Sequence, residues 1–358
     1  MSNLRGNKGE WSEAYVLLRL LGDGRIYAAD ENLHKIENIY FPIIKIIREE
    51  VEKVRHEYTV TKDGVIAIYV NNTLIKEISQ KAFDEEADYL LKRINEASEH
   101  AFSVDHTESF LHDIGSHKLS APSTDKTDIT MQIHDIQTGY SPVCGFSIKS
   151  EIGSAPTLLN ATGATNFVYR IEGITKDRAK SINAIDSKDK IKKRMDAIFA
   201  EAEKVEFVRV NNSTFEQNLT LIDSSFAEML SWALIYHYRD GAISCEDIVR
   251  LLEIHNPMKY QRSGVYTYKI KKFLCSVALG MKPAKEWDGR DEANGGYIVV
   301  SSSGDVLAYH IYNRDFFEEY LLKNTKLERA STTRHGYASL YEECGDMLLK
   351  LNLQIRFK

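Results

Sequence analysis

Apolar residues at Trp11, Ala14, Tyr15, Leu18 and Leu21 recur with helical spacing and predict a helix opening near residue 8. Asn7 can cap it, with Glu10 three positions on, and "GDG" at 22–24 ends it. "RIYAAD" reads as a strand. The run 36–55, "IENIYFPIIKIIREEVEKVR", reads as a helix with Pro42 near its middle. "EYTVTKDGVIAIYV" alternates about Asp63-Gly64 and predicts a hairpin. A charged helix is expected over 79–99. "DKTDITMQIHD" and "CGFSIKSEI" read as two strands joined through Gly139 and Pro142.

Further on, 175–204 predicts a basic-then-acidic helix pair, "VEFVRV" a strand, and 214–238 one amphipathic helix. The character changes near 241. "SCEDIVRLLEIH" and "YKIKKFLCSVALGM" predict two short helices, and "GGYIVVSSSGDVLAYHIY" a hairpin about Gly304-Asp305. A last helix is expected near 336–351, before a strand "NLQIRF". No internal repeat or low-complexity tract interrupts the chain. The expectation is α/β: a mixed central sheet flanked by helices over 1–240, then an α+β region over 241–358.

Composition adds limits. With 358 residues, 43% hydrophobic and 27% charged, the chain can bury a real core. A net charge of −6 argues against a histone-like binder but leaves room for a local basic cleft. Cys144, Cys245, Cys275 and Cys344 are far apart, so neither a disulfide framework nor a zinc knuckle is expected. No apolar run approaches the roughly 20 residues of a membrane span, and "MSNLRGNKGEWSEAY" lacks a signal-peptide apolar region. A cytoplasmic protein with no membrane partner is the expectation.

The chemistry centres on Lys149. A lysine among small and apolar residues is either a solvated edge residue or a chemical group, because burying it alone is costly. Alternation puts Ser147 and Lys149 on one face of their strand. An antiparallel neighbour can bring Asp128 close. Glu13 shares a helix face with Leu17 and Leu20, where a carboxylate needs a partner. Two carboxylates beside a lysine suit a hard divalent cation such as Mg2+. Such a cation would stabilise charge developing on a phosphodiester, with the lysine orienting or deprotonating a water. Asp135, at the far end of the Asp128 strand, is the rival carboxylate. His106, His112 and His117 form a loose cluster without an evident fourth ligand and read as a surface loop.

The Asp128 and Ser147-Ile148-Lys149 pair resembles the PD-(D/E)xK nuclease superfamily, with Ser147 where that family usually carries a carboxylate. "NKGEWSEAYVLLRLL", "GFSIKSEIGSAPTLLNATGATNF" and "LNLQIRF" resemble the HpaII family of type II restriction endonucleases, over residues 6 to 358. The resemblance implies a PD-(D/E)xK-like fold and Mg2+-dependent, site-specific cleavage of double-stranded DNA, with CCGG as the target. It implies 5′-phosphate and 3′-hydroxyl ends, a metal held by Asp128, the Ile148 carbonyl and Glu13, and a companion DNA methyltransferase. A short palindromic target invites a homodimer.

Other DNA-facing candidates follow from composition. "MKYQRSGVYTYKIKKF" interleaves cations with aromatics, which suits either phosphate contacts or a half-buried helix. Lys259 and Lys272 suit phosphates, and Gln261 and Arg262 carry donors that read base edges. Asn160, Thr162 and Asn166 in "NATGATNF", and Arg334 and His335 in "STTRHG", are further candidates. Two rival readings are a winged-helix-like regulator without catalysis, built from the C-terminal helices and the 295–312 hairpin, and a structure-specific nuclease.

Overall fold

The computed structural model describes residues 4–49, 54–120, 127–310 and 313–358. Helix α1 (Lys8–Asp23) opens on a capping box. The Asn7 side chain accepts from the Glu10 N–H, the Glu10 carboxylate accepts from the Asn7 N–H, and Gly24 closes the helix in the left-handed region. Strands β1 (Arg25–Ala29), β2 (Lys35–Glu49), β3 (Arg55–Val60), β4 (Val65–Val70) and β5 (Thr73–Ser79) follow. Helices α2 (Gln80–Glu96) and α3 (Asp105–Asp113) precede strands β6 (Ile129–Ile133) and β7 (Val143–Ser150). Asp125 and Lys126, at the start of the expected strand, lie outside the described residues.

Then come β8 (Thr157–Leu159), β9 (Asn166–Glu172), α4 (Lys176–Asn183), α5 (Lys190–Glu201) and β10 (Lys204–Val210). Helices α6 (Ser213–Ile222), α7 (Phe226–Tyr238), α8 (Cys245–His255) and α9 (Val265–Leu279) lead to a hairpin of β11 (Gly296–Val300) and β12 (Val306–His310). The chain ends with α10 (Arg314–Asn324), β13 (Thr325–Leu327), the single turn α11 (Thr332–His335), β14 (Leu340–Glu343), β15 (Asp346–Asn352) and β16 (Ile355–Phe357).

Three expected helices are corrected. The described part of 36–55 is strand, because proline cannot sit inside a helix and isoleucine and aromatic side chains fit a pleated surface. Pro42 needs no ladder N–H there, and its carbonyl accepts from His134 N at 2.8 Å. A bulge between Ile43 and Lys45 lets Phe41, Ile43 and Ile46 all face the core. The expected helix 214–238 breaks at Asp223, whose carboxylate accepts from the Ser225 N–H at 3.0 Å and hydroxyl at 2.7 Å. The expected helix 336–351 is a hairpin instead. Cys344 and Gly345 both have positive φ, the requirement of a tight two-residue turn.

The chain divides into two units, Met1–Pro156 with Asp291–Tyr320, and Thr157–Arg290 with Leu321–Lys358. Residue 240, the expected boundary, falls inside the second unit. In the first unit, the order is β1-β12-β11-β7-β6-β2-β3-β4-β5, and β1 also pairs with β2. The strands β1, β12, β11, β7, β6 and β2 therefore close into a six-membered ring. β7 runs parallel to β11, and β1 to β12; the other pairs are antiparallel. Trp11, Leu17, Leu18 and Leu21 of α1 join Phe41, Phe146, Ile148 and Ile298 in the core of this unit. Every position of β11 and β12 is buried, so the hairpin is part of this sheet and not the wing of a regulator.

The second unit holds a four-stranded sheet, β10-β9-β15-β14, and a three-stranded one, β13-β16-β8. Phe167, Tyr169, Phe215, Tyr238, Phe273 and Leu349 are fully or almost fully buried in it. Among the described residues, no helix is long and apolar enough to cross a membrane.

Candidate active site

β6 and β7 are antiparallel, with Ile129 opposite Phe146. Asp128 stands just before β6, and its N–H donates to the Phe146 carbonyl at 2.9 Å. That bond aims the carboxylate across β7. Its Oδ2 accepts from the Ile148 N–H at 2.6 Å and from the Ser147 hydroxyl at 3.1 Å. Oδ1 accepts no hydrogen bond among the described residues. Lys149 Nζ donates to the Ile148 carbonyl at 3.0 Å. Asp128 and Lys149 are half-buried, while Ser147 and Ile148 are 3% and 5% exposed. Asp128, Ser147, Ile148 and Lys149 are thus brought together by adjoining strands. Ser147 serves as a donor that holds Asp128 and brings no charge of its own.

α1 reaches the same strand one residue further on. Ser12 Oγ donates to the Lys8 carbonyl at 2.7 Å and lies 2.9 Å from Ser150 Oγ. Ser150 also accepts from the Ile152 N–H at 3.1 Å. Glu13, half-buried, directly follows the residue that ties α1 to β7. Glu151, two positions after Lys149, accepts from the Tyr320 hydroxyl at 3.1 Å. Burial holds Tyr320 far above an ordinary tyrosine pKa, so it remains a donor. Tyr320 was not foreseen, because α10 was not recognised in the sequence.

The rival groups have other tasks. Asp135 closes the turn after β6, accepting from the Gln137 N–H at 2.9 Å and from the Thr138 hydroxyl. The Thr138 hydrogen bond foremost, with backbone N–H groups, holds its carboxyl below the usual carboxylate range. His112 and His117 face each other at 2.8 Å through their Nδ1 atoms, and His106 lies 3.0 Å from Glu86. Among the described residues, no group of three or more His, Cys, Asp or Glu side chains is arranged to hold a metal.

The DNA-facing candidates all lie in the second unit. Asn160 and Thr162 are exposed, and the Thr162 side chain caps a short 3-10 turn. Asn166 is 2% exposed, donates to the His335 carbonyl at 2.8 Å and accepts from Asn352 at 2.7 Å. Its amide is occupied inside the protein. Lys259, Gln261 and Arg262 are exposed on a loop organised by Asn256, whose side chain bonds both the carbonyl and the N–H of Tyr260 at 2.9 Å. Lys272 lies over the Tyr268 ring at 5.3 Å. Lys269 is committed to Asp223 at 2.9 Å and to the Tyr260 hydroxyl at 2.7 Å. Arg334 is exposed and His335 half-buried.

A fixed carboxylate, a carbonyl and a lysine on adjoining strands of a mixed α/β fold offer hard oxygens to a divalent cation, with a positive charge alongside. That is the equipment of a metal-assisted hydrolase. The HpaII restriction endonuclease family matches residues 7–357. The chain is 41% identical, over 358 residues and 98% of each chain, to Type II restriction enzyme HpaII from Haemophilus parainfluenzae. No solved structure matches it. The chain belongs to the HpaII restriction endonuclease family, and is a site-specific deoxyribonuclease acting on double-stranded DNA.

Proposed function

We propose that this chain cuts double-stranded DNA at CCGG by Mg2+-dependent hydrolysis, leaving 5′-phosphate and 3′-hydroxyl ends. The observation that carries the site assignment is that the Asp128 carboxylate and the Lys149 ammonium are both anchored on the Ile148 backbone, the first by its N–H and the second by its carbonyl. β6 and β7 are read as the core of a PD-(D/E)xK-like fold in the first unit, and the second unit as the DNA-recognition part. CCGG follows from the family resemblance alone.

Asp128, the Ile148 carbonyl and Glu13 would hold the cation. The donor set fits, since all three offer oxygen and Asp128 keeps Oδ1 available. When bound, Mg2+ supplies Lewis-acid stabilisation of negative charge at the phosphate. Lys149 orients the attacking water and neutralises charge developing on the phosphate. Its ammonium is already tethered at 3.0 Å to the Ile148 carbonyl, so little reorganisation is needed. Gln261, Arg262, Lys259 and Lys272 contact DNA, with Asn160, Thr162, Arg334 and His335 as further contacts. The same reading includes a homodimer on the palindrome, action in the cytoplasm, and a methyltransferase that protects host DNA without touching this protein.

The test is a digest of a sequenced plasmid rich in CCGG, with and without Mg2+, on unmodified and CpG-methylated DNA. Discrete fragments mapping to CCGG, and requiring Mg2+, are expected. Fragments mapping to another sequence would replace the target, and equal cutting in a chelator would remove the metal.

A further inference from the structure

The second unit contains a cavity of about 440 Å³ whose walls include Lys190, Arg194, Thr332, Thr333, Tyr341 and Lys350. We propose that this cavity is a phosphate pocket that seats one backbone phosphodiester of the bound DNA. The inference rests on the reading that the second unit engages DNA, and it is independent of the Asp128 centre.

The wall is cationic in a chain whose net charge is −6. Arg194 is 8% exposed, and its guanidinium donates to the carbonyls of Asn183, Ile185 and Ala338 and to the Ser339 hydroxyl. None of these partners is an anion. The charge is therefore fixed and left without a directly paired carboxylate, which favours an arriving anion. Lys350 Nζ lies 4.8 Å over the Tyr341 ring and pairs with no carboxylate among the described residues. Lys190 pairs with Asp186 at 2.9 Å, and Lys190 foremost, with Arg194, holds the Asp186 carboxyl below its ordinary range.

Hydroxyl groups line the same cavity. Tyr341 lines the cavity, and its Oη has no hydrogen-bond partner among the described residues. The Thr332 and Thr333 side chains make no hydrogen bond among the described residues either. Hydroxyls and ammonium groups converge on one space, and a phosphodiester presents only acceptors and negative charge. Thr333 is followed by the exposed Arg334, which continues the positive surface outward.

The experiment measures the affinity of the full chain for cognate and unrelated duplexes across a salt series, in EDTA so that nothing is cut. Lys350→Gln should weaken both duplexes about tenfold and flatten the plot of log affinity against log salt by about one. Tyr341→Phe should weaken both about 3-fold while the melting temperature holds, since among the described residues the hydroxyl bonds to nothing else. A merely structural tyrosine would not give that combination. A parallel arm titrates inorganic phosphate against the melting temperature. Phosphate stabilisation lost in both variants, with DNA affinity unchanged, would overturn the DNA assignment in favour of free phosphate. Unchanged DNA affinity and no phosphate response would overturn the pocket altogether. Weakening by Arg262→Ala but not by Lys350→Gln would leave the recognition reading standing and remove only the pocket.

Discussion

The Asp128 centre and the cationic cavity of the second unit hold their charges in opposite ways. In the first, two donors of β7 hold a single oxygen of Asp128, and the β11 strand beside β7 is buried throughout. In the second, cations come from α5 and β15 and hydroxyls from α11, around an open space of about 440 Å³. Making and breaking a bond requires reacting groups fixed to a fraction of an ångström, so both charges are tied to the β7 backbone. Gripping a phosphate needs field and donors, which several side chains can share. The first region should respond to substitution in an all-or-none way, the second gradually.

Asp128→Asn is the sharpest test of that contrast. It should lower the cleavage rate about 10³-fold while sparing DNA affinity and the melting temperature. Near-normal cutting would remove Asp128 from the centre. Lys149→Ala should slow cleavage about 10²- to 10⁴-fold, again with binding retained. If the loss appeared in affinity instead, Lys149 would belong with the graded cations of the second region.

Acid should affect both units alike. His310 in the first and His237 in the second are buried, and burial pushes each down to about 4. An unfolded histidine titrates near 6.5, so below that pH the unfolded chain takes up protons that the folded one refuses. Stability present above pH 6.5 is lost as pH falls towards 4, by about 3 kcal/mol per histidine. Melting temperature against pH checks this, and His237→Gln should flatten the acid limb. A profile level down to pH 4 would contradict the burial of both rings. A smaller effect separates structure from recognition within the second unit. Asn166→Ala should cost about 1–3 kcal/mol of stability by leaving the His335 carbonyl without this donor and Asn352 with one acceptor fewer. The salt dependence of DNA binding should stay as it was. A changed salt slope at full stability would make Asn166 a DNA contact after all.

The sequence by itself determined the features that depend on near neighbours. The α1 capping box, the Asp63-Gly64 and Gly304-Asp305 turns, and the alternation that pairs β6 with β7 are written in residues a few positions apart. These sufficed to bring Asp128 to Lys149, because a tight antiparallel pair needs little beyond its own turn. Tertiary structure decided the rest. Residues 36–49 and 340–352 carry apolar patterns that suit helix or strand, and pairing with β6 and β3, or with β9, selected strand. Only folding could bring 296–310, which follow residues 157–290 in the sequence, to lie beside β7, since a parallel pairing leaves no mark between its two sequences. Nor could spacing show that Asn166 faces inward or that Tyr320 reaches Glu151. Each depends on a partner more than a hundred residues away.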